Sequence, residues 1–532
     1  MSIVSSCFES GFSSTSRILR SPSTDRGFAR RVLRPRISET RSRPLARRVS
    51  QRPRPTPGAL VAATALVLTS PLPADASSAV RGTVARFESP NGAIEKCVAL
   101  EHMPGGQYSP ADQSLEQELC GIDFYGTTHA LCPKLFSTSP GTLVFDLRDG
   151  PYAGDPVRFE RESCASGGVH KRGAPREPIS YKMSVNTRES SATFANSALV
   201  YYHFARYFQA SVHVPVAVLR SIDRREHGRR VSSPGVKGSA GKPALRMNHA
   251  AWTALQAAEI DPGTYRPAEE LFTPDGLLYG VMLHPLGRRY GEEMNGTRRS
   301  GWGDGQNRDF QETAPFLALR SPRPLGDAIA DGMTQAMRDP VLAKATGGAT
   351  PQQLAFWMAD LIDVTLLDYL LGQQDRVGNL DYLPRWYWVD DGQVLSEAAA
   401  GSTPPPRLSA FAPRRVLRTE LGDNDAGVRV TYLNYAKRTG MLEKLRHYRA
   451  GTYRQLLRLE ADFASGGRLH EYVRTTFGLS DREFSTIKAN VGTAATILRE
   501  SCKAGRLRFD VEPEEFLRQG AVSERNVSCE QP

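Results

Sequence analysis

The spacings that mark most metal and hydrolytic centres are missing from this chain of 532 residues. None of its seven cysteines pairs as CxxC, which argues against a structural zinc site. HExxH, GxSxG and the EF-hand loop are absent, so zinc-peptidase, hydrolase-elbow and calcium-sensor chemistry have no sequence support. The ten histidines are scattered, and His203, inside an apolar helical run, reads as a core residue. GVKGSAGKP (235–243) comes nearest to a phosphate loop, but its outer glycines stand one residue too far apart and Pro243 follows Lys242. No internal repeat is present, and no long low-complexity tract follows residue 76.

A basic stripe is also missing. The net charge is +11, yet nine of those charges belong to residues 1–76, which hold thirteen arginines, no lysine and four acids. The remainder is close to neutral, so bulk electrostatics give little support for nucleic-acid binding, and none is expected as a partner. Within 1–76 an Arg/Ser-rich stretch leads to an apolar segment, ALVAATALVLTS (59–70), too short to span a bilayer. Ala74-Asp75-Ala76 has the small-x-small form of a signal-peptidase site, so the segment reads as a removable export signal. Arg47-Arg48 is a weak twin-arginine pair, and a bipartite organelle transit peptide is the competing reading. Export predicts a periplasmic, extracellular or lumenal protein with no stable membrane anchor after leader removal.

Cysteine usage agrees with export. Cys7 lies in the leader, and six cysteines follow: Cys97, Cys120, Cys132, Cys164, Cys502 and Cys529. An even number in an exported chain predicts disulfides. Their clustering predicts two bridges among the first four and one joining Cys502 to Cys529. Asn295-Gly-Thr and Asn526-Val-Ser are glycosylation sequons, which matter only in a glycosylating compartment.

What is present is ordered strand-rich first, helix-rich second. Residues 77–165 read as a disulfide-pinned extension containing the strand GTLVFDL (141–147). In EPISYKMSVN (177–186), Ile179, Tyr181, Met183 and Val185 alternate with polar residues, the period of a half-buried strand that puts Lys182 on its polar face. SALVYYHFARYFQA (197–210) reads as a helix, VHVPVAVLRSID (212–223) as a strand, 224–247 as a basic loop, and LLYGVMLHPL (277–286) as a strand. QLAFWMADLIDVTLLDYLL (353–371) is the strongest apolar helix, and Ser480 with Glu483 fits a capping box opening a helix towards Cys502. Two lobes with a cleft between them follow from this order.

Directly after the apolar helix comes LLGQQDRVGNLDYLPRWYWVDDG (370–392). It reads as a polar helix exit and a short hairpin, with Pro384-Arg385 near the turn and Asp390-Asp391-Gly392 at its exit. Asp375, Asn379, Asp381 and Asp390 are the groups that phosphoryl transfer requires. One carboxylate orients and deprotonates a hydroxyl, while another, with an amide oxygen, holds Mg²⁺ or Mn²⁺ across nucleotide phosphates.

Apolar helix, Asp-Arg, nearby Asn, hairpin and then Asp-x-Gly resemble the catalytic segment of atypical protein-kinase-like folds. The likeness is greatest to the secretory-pathway Golgi casein kinase family, and more distant to HipA-type kinases and phosphatidylinositol 4-kinases. It spans roughly residues 177–395. The resemblance implies Asp375 as catalytic aspartate, Asp390 as metal aspartate, Asn379 as second metal ligand and Lys182 as the lysine on the nucleotide phosphates. Three features depart from the family pattern. Ala198 stands where the family's helix carries a glutamate, with Glu189, Glu292 or Glu293 as substitutes. The Asp375-to-Asn379 spacing is one residue short, with Asp381 as an alternative ligand. No GxGxxG precedes Lys182, only SGGVHKRG (166–173).

The expectation is an α+β, bilobal protein-kinase-like fold: leader 1–76, Cys-containing extension 77–165, strand-rich N-lobe 166–286, and helical C-lobe 287–532 with its catalytic segment at 370–393. Its function would be an exported kinase using ATP with Mg²⁺ or Mn²⁺ on a hydroxyl of a protein or glycan acceptor. The alternatives are a pseudokinase scaffold or a nucleotidyl transferase on the same fold.

Overall fold

The computed structural model describes residues 81–137, 139–164, 174, 176–187, 193–284 and 299–531. The leader with its export signal, Cys7, the stretch 166–173, Glu189, Glu292, Glu293 and Asn295 lie outside the described residues.

The chain is α+β. Seven strands form one antiparallel sheet in the order β1-β2-β6-β7-β5-β4-β3. They are β1 (Gly82–Glu88), β2 (Ile94–Leu100), β3 (His129–Pro133), β4 (Gly141–Asp146), β5 (Ile179–Lys182), β6 (Ala217–Ile222) and β7 (Leu278–Leu283). Four of them come from residues 77–165, so the Cys-containing segment and the segment after it share one sheet. β5, with Lys182, lies between β4 and β7 and pairs with both.

Helix α1 (Pro110–Cys120) packs on β2 and β6, and α2 (Asn196–Phe208) packs on β6 and β7. The stretch 224–247, expected as a loop, is largely helical, including Arg224–His227 and Ser233–Ser239, and leads into α3 (Arg246–Ile260). Tertiary packing overrides its weak propensity: a Cβ at Gly235 would stand 2.5 Å from the Trp252 ring, so only glycine lets the two segments close.

The second part is built on α4 (Pro351–Leu371), apolar on every side and buried from Gln353 to Leu371, as such a helix must be. Thr350 caps its start, and Gly372, at φ 67°, supplies the left-handed residue that ends it. Three aspartates on α4 are buried, and each meets an arginine. Asp360 pairs with Arg418 at 2.7 Å, Asp363 with Arg449 at 3.0 Å and Asp368 with Arg376 at 2.9 Å. Helix α6 (Asp481–Lys503) packs on it, α5 (Ala450–Ser465) packs on α6 and α2, and the capping box at Ser480 and Glu483 is formed. One continuous hydrophobic core runs from the sheet into these helices.

A second sheet has the order β10-β8-β9, with β8 (Asp381–Asp390), β9 (Gln393–Ala398) and β10 (Arg414–Glu420). Pro384, expected near a turn, lies inside β8. It stands opposite Leu417, but its carbonyl accepts from Ala399 N–H at 2.8 Å, so the edge on which proline lacks a donor faces β9 and the β10 ladder is not interrupted. The outward backbone edge of Leu417 is met by the Gln353 side-chain amide, which accepts from Leu417 N–H at 2.7 Å and donates to its carbonyl at 2.9 Å. The turn falls instead at Asp391 (φ 44°) and Gly392 (φ 76°), the two left-handed residues of a tight hairpin.

Three disulfides join Cys97 to Cys120, Cys132 to Cys164, and Cys502 to Cys529. They fit a chain that matures in an oxidising compartment. Each closes a loop of 23 to 32 residues, so each stabilises by roughly 3 kcal/mol through loop entropy. Thermal denaturation with and without dithiothreitol is expected to show a marked drop on reduction. An unchanged midpoint would mean that the bridges add nothing to the core. Among the described residues no helix is long and apolar enough to cross a membrane.

Candidate functional site

The antiparallel ladder of β8 and β10 explains how the site is assembled. Asp381, the first residue of β8, pairs with Glu420, the last of β10. The loop entering β8 (372–380) and the loop leaving β10 (421–427) therefore emerge from the same end of the ladder. The first carries Asp375, and the second reads Leu-Gly-Asp-Asn-Asp-Ala-Gly.

These two loops are zipped together. Gln374 N–H donates to the Ala426 carbonyl at 3.0 Å and the Gln373 side chain to the Asp423 carbonyl at 3.2 Å. Arg376 lies between them, 4% exposed. It donates to both Asp368 oxygens at 2.9 and 3.0 Å, to Asn424 Oδ1 at 2.9 Å and to the Asp423 carbonyl at 3.3 Å. Its guanidinium also faces the Tyr201 ring at 5.5 Å. Burial works against the charge on Arg376, but Asp368 outweighs it and holds the pKa above the usual arginine value. Burial, reinforced by Asp368, drives the Tyr201 phenol well above its ordinary range. Close approach is needed elsewhere as well: a Cβ on Gly427 would stand 2.9 Å from Ser197 Oγ on α2.

With Asn424 turned towards Arg376, the carboxylates on either side of it reach Lys182. Lys182 Nζ donates to Asp423 Oδ1 at 2.5 Å and to Asp425 Oδ1 at 3.0 Å. Asp425 is the more enclosed of the two, its side chain 12% exposed against 27% for Asp423. Its carbonyl also accepts from Phe194 N–H at 2.7 Å, just ahead of α2. Lys182 is thus buried and paired, where the strand period had placed it on an open polar face.

A cavity of about 490 Å³ opens over these groups, lined by Lys182, Asp375, Asp423 and Asp425 and also by Trp302 and Met247. The β3–β4 turn contributes Lys134, Ser137 and Ser139. Asp375 Oδ1 accepts from the Trp302 indole at 3.3 Å, and its backbone N–H donates to Gln373 Oε1 at 3.1 Å. Trp302 and Tyr435 form a T-shaped pair, with centroids 5.5 Å apart. Desolvation, with Asp304 adding to it, raises the Tyr435 pKa.

Of the four residues singled out from the sequence, the structure brings Asp375 and Lys182 to this cavity. Asn379 is one layer behind, its side-chain amide donating to the Asp375 carbonyl at 2.8 Å. Asp390 is at the far end of β8, paired with Gln393 beside the hairpin turn. Nine strand steps from Asp381 place it about 30 Å along the ladder, and it is not among the lining residues. Asp381 is buried in the β8–β10 ladder. The sequence reading does not single out Asp423 and Asp425, the carboxylates that meet Lys182, because it ends the acidic segment at the Asp-x-Gly of the hairpin turn. The detectable signal was a second acidic Asp-Asn-Asp-Ala-Gly directly after a strand able to pair with 381–387.

Ala198 is buried in the third position of α2. The carboxylates that meet Lys182 come from the 421–427 loop, so the missing helix glutamate does not leave the lysine without an acidic partner. His203 is a core residue as expected: fully buried, with its pKa pushed down to about 3 mainly by burial, its Nδ1 lies 2.6 Å from the Tyr108 hydroxyl.

The donor set suits a hard divalent cation. Asp423 and Asp425 offer oxygen ligands only. Among the described residues no cluster of three or more acidic, His or Cys groups could hold a metal alone. Mg²⁺ and Mn²⁺ are typically held by one or two carboxylates together with substrate phosphates, and that combination fits here. No protein-family model matches the chain, and no curated protein matches it.

Proposed function

We propose that the protein is an exported, metal-dependent phosphotransferase on a bilobal kinase-like scaffold, moving the γ-phosphoryl of ATP to an alcohol. One observation carries this reading. A buried lysine, two carboxylates able to share a metal with phosphates, and a further carboxylate line one cavity where the strand-rich and helical parts meet. Asp423, with Asp425 beside it, takes the metal role that the sequence had pointed to Asp390. A bound Mg²⁺ or Mn²⁺ supplies charge neutralisation across the nucleotide phosphates.

Lys182 neutralises phosphate charge on the donor side, and the β3–β4 turn covers the phosphates with Lys134, Ser137 and Ser139. Asp375 orients the acceptor hydroxyl and receives its proton. The new bond joins the acceptor oxygen to the γ-phosphorus, the bond to the β,γ-bridging oxygen breaks, and ADP departs. Lys182 exchanges one carboxylate partner for phosphate when the nucleotide binds. The more exposed Asp423 is the partner released, and Asp425 remains as the lysine's anchor. The acceptor is a protein or glycan hydroxyl, and the compartment is a lumen that holds ATP.

The test is calorimetric titration of ATP into the full chain with Mn²⁺ and then with EDTA, alongside Asp423→Ala and Asp390→Ala. Metal-dependent binding is expected in the wild type and in Asp390→Ala, and at least ten-fold weaker binding in Asp423→Ala. No binding in the wild type would turn the reading towards a pseudokinase scaffold. Loss in Asp390→Ala alone would return the metal site to the hairpin.

A further inference from the structure

Trp302 is 61% exposed, a large apolar face presented to solvent at the cavity mouth. Its position is fixed from several sides. Gly301 and Gly303 flank it at φ 74° and 98°, conformations that side-chain-bearing residues rarely adopt. A Cβ at Gly303 would press to 3.2 Å from the Tyr435 hydroxyl. The Tyr435 ring lies perpendicular to the indole, and the indole N–H is directed at Asp375. The exposed indole keeps apolar surface available to a ligand, and it adjoins the carboxylate that orients the acceptor. Lys182, Asp423 and Asp425 occupy the donor end, so Trp302 belongs to the acceptor end.

We infer that Trp302 is the acceptor platform and that the acceptor is a saccharide, whose ring stacks on the indole while one hydroxyl meets Asp375. This rests on the phosphotransfer reading and narrows its acceptor. A pyranose has an apolar C–H face edged by hydroxyls, which matches an aromatic plane beside a carboxylate. A peptide acceptor needs different features. The strands that line the cavity, β4 and β5, are internal to the sheet, so no edge is offered there for an extended peptide. In the transfer, the sugar hydroxyl oxygen bonds to the γ-phosphorus, its proton passes to Asp375 and ADP leaves.

The experiment uses the full chain with methyl β-glycosides of glucose, galactose, xylose and N-acetylglucosamine, their disaccharides, and a serine-peptide library. Transfer from γ-labelled ATP with Mn²⁺ is measured in wild type, Trp302→Phe and Trp302→Ala, and tryptophan emission is titrated with each sugar without ATP. Label is expected in at least one saccharide. Its KM should rise roughly ten-fold in Trp302→Ala and less in Trp302→Phe, with ATP affinity unchanged. Emission should shift with sugar in the wild type and not in Trp302→Ala. Label confined to peptides, or a sugar KM unmoved in Trp302→Ala, overturns the inference. If ATP fails to bind at all, the phosphotransfer reading falls. The ATP-free emission titration then decides the platform alone, kept by a Trp302-dependent shift and overturned without one.

Discussion

Asp375→Asn is expected to leave ATP and Mn²⁺ binding intact while slowing phosphoryl transfer by about 10²- to 10⁴-fold, the range of a lost general base. The exchange is close to isosteric. The amide oxygen can still accept from the Trp302 indole, and the backbone bonds to Gln373 and Asn379 do not involve the side chain. Fold and cavity shape should therefore persist, so the variant isolates the carboxylate's charge and basicity. Single-turnover transfer measured beside calorimetric nucleotide affinity separates the two effects. An unchanged transfer rate would remove Asp375 from the chemistry. Loss of nucleotide affinity would move it to the donor side instead. Asp390→Ala is the matched control and should change neither quantity, being about 30 Å along the β8 ladder from the loop that carries Asp375.

That contrast shows where the sequence was legible. The apolar helix, the alternating strand at Ile179–Lys182 and the capping box at Ser480 are local patterns, written in residue periods of 3.6 and 2. Each is found where its period placed it. The polar helix exit was legible for the same reason, since a carboxylate directly after a buried helix has few places to go. Asp423 and Asp425 depend on something non-local. They reach Lys182, more than two hundred residues earlier in the chain, because β10 pairs with β8 across an intervening β9 and a Pro-rich connection. Without that pairing, Asp390-Asp391-Gly392 and Asp423-Asn424-Asp425 are two acidic turns of equal standing. The strand register brings only the second to Lys182, and a Pro inside β8, which reads as a turn signal, hid that register. The same limit applied to 224–247, where glycine and serine read as a loop but serve to let Trp252 pack closely.

The largest stability effect is expected at the pair beneath the site. Arg376→Leu should destabilise the chain by roughly 3–5 kcal/mol, because it leaves the Asp368 carboxylate buried without its cation. Asp368 would keep only the Tyr201 hydroxyl, which donates to it at 2.8 Å. Asp368→Leu should cost a similar amount by stranding the guanidinium, whose remaining partners are neutral oxygens of Asp423 and Asn424. Two apolar groups can replace a buried ion pair at far smaller cost than either single change, so the double variant should recover much of the loss in urea denaturation. Its activity should not recover. Stability needs only that neither charge be left alone, whereas the site needs Arg376 to grip Asn424 and the Asp423 carbonyl while it holds the end of α4. A stable double variant with weakened metal–nucleotide affinity would identify Arg376 as the residue that sets the loop of Asp423 against the loop of Asp375. A single Arg376→Leu costing no more than about 1 kcal/mol, the scale of an exposed pair, would show that the two loops are held by their backbone bonds alone.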